Sequence, residues 1–340
     1  MGANDGLFAP GRGAGSPAQR LVRKDRDMRR SHVLLAIILL IFLFLPAVSF
    51  EARNYYLQIV IFTFMSVVIA TSYDIVGGHM GYINLGHITF FAVGAYAFGV
   101  LFNQDLTLVP ALFGATLCAV TFAAVMSYPF FRLRAHYFAL ASFGLVKLME
   151  HVTINLSWLT GGSNGLKIDG GDRTTPVYYI CLATVVLVML CHWALGRSKL
   201  GLAMKAIRED EEVARDFGVP TFLTKAKALV ISSLFPGFLG GVYTWYINYI
   251  IPDDIFSLER ALTPIAMALL GGTGLLVGPV VGAVFLTMTE EVIWTTFEHL
   301  HGAMLGLVII LVGLFMPGGL ARLGPVERFL GFLGLREEDK

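Results

Sequence analysis

Long apolar runs, separated by short polar, basic or glycine-rich stretches, recur along the chain. They fall near residues 33–50, 55–73, 87–102, 107–131, 137–156, 176–195, 224–250, 261–271, 276–297 and 303–317. Most approach the roughly 20 residues that a helix needs to cross the hydrocarbon core of a bilayer. The expected fold class is an all-α polytopic membrane protein with about ten spans, and roughly eight to eleven as the range. Two glycine-rich interruptions, 77–86 and 271–278, read as re-entrant or unwound segments rather than ordinary loops.

Composition supports this reading. Of the 340 residues, 56% are hydrophobic and only 14% charged, whereas a soluble domain carries about 25% charged residues. Mean hydropathy is +0.71. A soluble enzyme is excluded, and a net charge of +1 provides no global field to recruit nucleic acid. Cys118, Cys181 and Cys191 all lie in apolar stretches without metal-ligand spacing. They read as buried free thiols, with neither a disulfide framework nor a zinc site. No catalytic residue and no metal ligand is expected.

Charge between the runs sets an orientation. A basic, low-order tail, 1–32, precedes the first run, which reads as an uncleaved helix rather than a signal peptide. Arg132 and Arg134, the Lys/Arg-rich loop 196–227 and the basic tail 318–340 would share the cytoplasmic side with it. Segments 157–175 and 251–260 would face outward, and both termini would be cytoplasmic. The expected organisation is thus a cytoplasmic tail, a transmembrane domain over 33–317 and a second cytoplasmic tail.

Candidate chemistry lies in the breaks. The stretch from Gly77 to His87 holds Gly81, Asn84, Gly86 and His87. Polar residues at membrane depth are tolerated against protein or a water-filled path, so this stretch reads either as a broken helix lining a pathway or as a capped polar turn. The second stretch contains Gly271, Gly272 and Gly274. Gly274, Gly278 and Gly282 recur every four residues, a helix-packing stripe if helical, and Gly237/Gly241 and Gly302/Gly306 share that spacing. Lys147 and Glu150 fall on one helix face and can neutralise each other, while Glu290 and Glu291 are expected to face the bundle interior or a helix end. Residues Ala203–Phe217 read as one short cytoplasmic helix that Gly218 stops. No GxxxxGK[ST] motif occurs, so any ATP would be bound by another chain.

In combination, these stretches resemble the membrane permeases of bacterial branched-chain amino acid ABC importers, in particular the LivM-type subunit. The resemblance rests on Gly81–His87 running into Phe90–Tyr96, then Leu159–Leu166, Gly201–Gly218, Leu270–Gly274 and Gly278–Ala283. It implies a translocation pathway at Gly81, Asn84, Gly86, His87, Gly271, Gly272 and Gly274. It also implies an ATPase-coupling segment within loop 196–222, at Ala206, Arg208, Glu209, Glu212, Ala214 and Gly218. There Glu212-Val213-Ala214 matches the family's E-A-A-x-x-x-G pattern with Val213 in place of the middle alanine. Lys147 before Glu150 departs from the family's usual acidic-then-basic order. The implied partners are a second permease, two ATP-binding subunits and a periplasmic solute-binding protein, with no cofactor in this chain. The implied location is the bacterial inner membrane, and the default solute is a branched-chain amino acid, with urea, a short amide or an aromatic acid as alternatives. A different class of reading is an ion-gradient-driven carrier with His79, His87, Glu150 and Glu290 as relay residues.

Overall fold

A computed structural model describes residues 53–296 apart from Arg134, together with Leu40, Phe42–Ala47, Gly306, Leu307, Ile310, Leu314 and Gly319–Arg322. The expectations for the N-terminal tail, the runs 33–50 and 303–317 and the C-terminal tail lie wholly or mostly outside those residues. The α-helices of six residues or more among the described residues are α1 (Arg53–Met80), α2 (His87–Phe102), α3 (Leu108–Phe130), α4 (Ala135–Asn155), α5 (Thr174–Arg197), α6 (Lys199–Glu209), α7 (Glu211–Asp216), α8 (Thr221–Ile247), α9 (Leu258–Gly271) and α10 (Gly278–Thr296). Among the described residues, α1, α3, α4, α5 and α8 are long and apolar enough to cross a membrane. The chain is an all-α, multi-pass membrane protein.

Burial separates the core from the periphery. Of the apolar windows in α1 and α8, 72% is buried, against 28% in each of α3, α4 and α5. Helices α1 and α8 are therefore enclosed by protein, while the other three turn much of their apolar surface outward. That is the distribution expected where the solvent is hydrocarbon and apolar side chains gain nothing by hiding. Helix α8 packs on α2 and α3, α5 on α1, and α9 and α10 form a hairpin against α1. The contacts rely on missing side chains: a β-carbon on Gly240 would overlap the Phe91 carbonyl of α2, and one on Gly282 the Met267 carbonyl of α9. Gly237 and Gly241 bring α8 onto Ala119 and Leu112 of α3, the packing role their spacing implied.

The connections gather at two ends. At one end, β1 (Leu166–Lys167) pairs antiparallel with β2 (Tyr249–Ile250), in the register Leu166↔Ile250 and Lys167↔Tyr249. Arg173 ties the same corner by donating to the Trp245 carbonyl at 2.8 Å and to Asn248 Oδ1 at 3.1 Å. The segments 157–175 and 251–260, expected on one side, are thus neighbours. The other end holds residues 81–86, α6, α7 and residues 272–277.

Four expectations are corrected. Gly77 and Gly78 are helical, so the first interruption is 81–86 and not 77–86. The helix ends where Gly81 takes φ +75, a conformation that a β-carbon disfavours. Residues 203–217 form two helices, because extended Asp210 (φ −159) ends α6 and accepts the Glu212 and Val213 N–H groups as the cap of α7. Gly274 stands outside α10 at φ +78, so the packing stripe reduces to Gly278 and Gly282. Cys118 is exposed rather than buried, Cys191 is half-buried and only Cys181 is fully enclosed.

Candidate functional site

The coupling-loop end contains a buried polar junction that joins both chain breaks to α6 and α7. Its centre is Asp74, fully buried near the end of α1. An uncompensated carboxylate there would cost several kcal/mol, and its bonds show how it is compensated. His192 of α5 lies with Nε2 at 3.0 Å from Oδ2, and the Gly274 N–H donates to both carboxylate oxygens at 3.0 Å. With Asp74 ionised, His192 Nε2 donates to it. The His79 ring packs edge-on against His192 with centroids 4.5 Å apart. The Gly77-Gly78 pair makes this geometry possible. A β-carbon on Gly78 would occupy the space of the Asp74 carboxylate, and one on Gly77 that of the Tyr73 ring. Two glycines one turn on let both side chains lean toward the break.

Two links run from this junction to the coupling segment. The Arg208 guanidinium of α6 donates through Nη1 to the Gly78 carbonyl and lies near Gly274, and the Arg208 aliphatic stem lies against Gly81. Glu211 of α7 accepts from the Tyr82 hydroxyl and, at 2.6 Å, from buried Lys225 of α8. The Lys225 ammonium sits over the rings of Tyr82 and Phe131, at 5.1 and 5.4 Å from their centroids. A charge so placed is solvated by the carboxylate and the ring faces. Burial alone raises the Glu211 pKa. The bonds from Lys225 and Tyr82, with the charges of Lys225 and Arg215, outweigh burial and leave it below the usual carboxylate value.

A stability consequence follows for Glu211. With its folded pKa depressed, its contribution is complete above the unfolded carboxylate value of about 4.3 and is lost as pH falls through the folded one. Amide protection factors across residues 211–217, taken against the intrinsic exchange rate at each pH, should therefore hold from neutral pH down to about pH 5 and fall in stronger acid. Unchanged protection at about pH 3 would remove Glu211 from this role.

The residues expected to form the pathway take different places. Gly81 and Gly274 meet around Arg208. Asn84 Oδ1 accepts the Gly86 N–H at 3.0 Å, a local cap of the break. His87 Nε2 lies 3.0 Å from Ser72 Oγ. Gly271 and Gly272 pack backbone against backbone on Gly278. In the coupling segment, Ile207 and Ala214 face inward with Met204, while Ala206, Glu209 and Glu212 lie toward the surface. Gly218 ends α7 at φ +84. Lys147 and Glu150 form the expected pair at 2.6 Å. The proposed relay residues have separate partners: His79 borders Asp74, His87 meets Ser72, and Glu150 meets Lys147. Sequence reasoning passed over Asp74, His192, Tyr82, Glu211 and Lys225 as site residues. The available signal was an ionisable residue inside an apolar run, which at membrane depth marks function or pairing.

The structure defines a helical membrane bundle whose chain breaks are bonded to the surface helices α6 and α7, and family comparison places it among transport permeases. Residues 55–313 match the family described as branched-chain amino acid transport system / permease component, and the chain belongs to that family. It is 28% identical to the high-affinity branched-chain amino acid transport system permease protein LivM of Escherichia coli K12, over 76% of this chain and 68% of that protein. The Salmonella typhimurium LivM protein is 27% identical over the same shares. The autoinducer 2 import system permease protein LsrC of Yersinia pestis is 29% identical over 40% of this chain and 41% of its own length. The chain is a LivM-type permease.

Proposed function

We propose that the chain is one of two permease subunits of an ATP-driven importer in the bacterial inner membrane, and forms half of a path for branched-chain amino acids or a related small polar solute. The observation that carries this reading is the continuous bonding from the coupling segment, through Arg208 and Glu211, to both chain breaks, within a chain matched by the family from residue 55 to 313. Separate ATPase subunits would dock on α6–α7. Their closure on ATP would shift α6 and α7, and the shift would reach Gly78, Gly274 and Tyr82 through these bonds. The β1–β2 end would face the periplasmic binding protein, and both termini would be cytoplasmic. Helices α2, α9 and α10, with segments 33–50 and 303–317, would bring the spans to about ten.

Surface chemistry supports the docking site. Phe217 is 85% exposed and Val213 48% exposed beside Glu212, an apolar pair with an acidic neighbour suited to a protein groove. Glu212→Lys should therefore cut ATP-dependent uptake by the reconstituted complex at least about tenfold, while the chain still inserts and folds. Gly218→Asp should do the same, although at φ +84 it also strains the turn. Normal solute-stimulated ATP hydrolysis with Glu212→Lys would reject the docking assignment. Gradient-driven uptake by the chain without any ATPase would reject the importer reading.

A further inference from the structure

Among the described residues, α4 combines two properties that the other spans keep apart. It is the least apolar of the five helices able to cross a membrane, yet only 28% of its apolar window is buried. Helices α3 and α5 are as exposed but far more apolar, as contact with lipid requires. Helix α8, the next least apolar, is 72% buried. The chain also holds α4 sparingly, on α2, α3 and the turn 252–255. An apolar crevice of about 330 Å³, bounded by Tyr96, Cys118 and Met149, lies between it and α2 and α3.

The polarity of α4 gathers on its outward face. A spacing of three or four places Leu140, Gly144, Lys147 and His151 on one side of the helix, and all four are exposed or half-exposed. Phe138, Ser142, Leu145, Val146 and Thr153 occupy the buried side. Lys147 lies about 12 Å inside the nearer end of the helix, at Asn155. Its side chain is 45% exposed, although its ammonium donates to Glu150 at 2.6 Å. An ionisable group at such depth is expensive against hydrocarbon, and is held against protein or a water-filled cavity. The described parts of the outermost runs do not cover it. Phe42 packs on Phe64 and accepts from Tyr178, and Leu320 joins α9 and α10.

We propose that this face of α4 lines the solute path, at the seam with the second permease subunit, so that Lys147 and Glu150 meet water and passing solute rather than lipid. The chain breaks, bonded to one another and to α6 and α7, would carry the motion, and α4 would form the wall. Pairing gives that wall a further property. A lone Lys147 would concentrate anions in the path and a lone Glu150 cations, whereas the pair presents little net field to either. The inference rests on the reading of the chain as one of two permease subunits, and assigns residues to its half of the path.

The test is thiol labelling of the assembled permease–ATPase complex in nanodiscs, with Cys118, Cys181 and Cys191 replaced by alanine. A thiol reacts as its thiolate, which water favours and apolar surroundings suppress. Leu140→Cys and His151→Cys should react with charged methanethiosulfonates at least about a hundredfold faster than Leu117→Cys on α3 and Leu187→Cys on α5, positions that are also exposed on the protein. The second readout is charge. At His151→Cys, the ratio of anionic to cationic reagent rates should rise about fivefold when Glu150→Gln is added, and fall by about the same factor with Lys147→Gln. Labelling at 140 and 151 as slow as at 117 and 187, whether lipid or a dry protein contact covers α4, overturns the inference. A ratio that neither substitution moves overturns it as well. ATP-dependent leucine uptake by the unsubstituted complex with its binding protein is measured in parallel. Its absence would instead count against the importer reading.

Discussion

Asp74→Ala should abolish ATP-dependent uptake, by about a hundredfold or more, while the protein reaches the membrane and folds. Two effects on stability oppose each other. The variant deprives the Gly274 N–H and His192 Nε2 of their shared acceptor, and each buried orphan costs about 1–3 kcal/mol. It also removes a fully buried carboxylate, whose desolvation costs several kcal/mol even when paired. Removal of one partner of a buried pair is the larger effect, at about 3–5 kcal/mol, so the melting temperature should fall and uptake is compared per folded molecule. Transport has no such compensation. Among the described residues, Asp74 is the group of α1 that bonds both to the 272–277 break and to α5, and without it the break loses these bonds to α1 while only the Arg208 and Glu211 links remain. Asp74→Asn provides the control. It retains one acceptor oxygen but turns an amide N–H toward the Gly274 donor or His192, so it should keep a small fraction of uptake. Wild-type uptake in Asp74→Ala would dismiss the junction as a coupling element.

The features that sequence made legible and those it hid differ in physical origin. Apolar run length is a local property, and it located α2 to α5 and α8 to within about three residues, whereas α1 runs seven residues past the expected end at 73. The pair Lys147–Glu150 was readable because a helix brings residues three apart onto one face. Gly218 was readable as a stop because a left-handed cap leaves a glycine directly after the helix. The division of 203–217 at Asp210 was harder. Each half carries helix-favouring residues, and only the capping bonds of Asp210 reveal where one ends. The junction at Asp74 was hidden for a stronger reason. Its members come from α1, α5 and the 272–277 break, so the pairing of Asp74 with Gly274 spans 200 positions and leaves no local period. Lys225 was misplaced by the same blindness. It counted as one more loop charge, whereas α8 begins at Thr221 and carries it inside, 2% exposed, onto Glu211. Family membership does not specify which bonds join the chain breaks to α6 and α7; those bonds are visible only in the geometry.

The second large effect concerns the hairpin that carries the 272–277 break. Gly282→Val should lower the folded yield of the protein, by about tenfold where the penalty exceeds the fold's own stability by about 1.4 kcal/mol. A side chain at 282 would overlap the Met267 carbonyl oxygen and crowd the Gly271 N–H, both backbone atoms inside α9. A flexible side chain could swing aside, but backbone cannot without separating the helices, so the penalty lies at or above the roughly 1–3 kcal/mol typical of overpacking. Separation would also move Gly272 and Gly278, whose close approach sets the turn that presents the Gly274 N–H to Asp74. The Gly282→Val protein that does fold should therefore transport poorly as well. Gly144→Ala is the matched comparison. It lies on an exposed helical position of α4 with nothing within 4 Å of an added β-carbon, and Gly→Ala in an open helix favours folding by up to about 1 kcal/mol. Fluorescence-detected size exclusion after graded heating reads both variants. If Gly282→Val and Gly144→Ala melt alike, α9 and α10 are not held by backbone contact, and the break between them is positioned by something other than this hairpin.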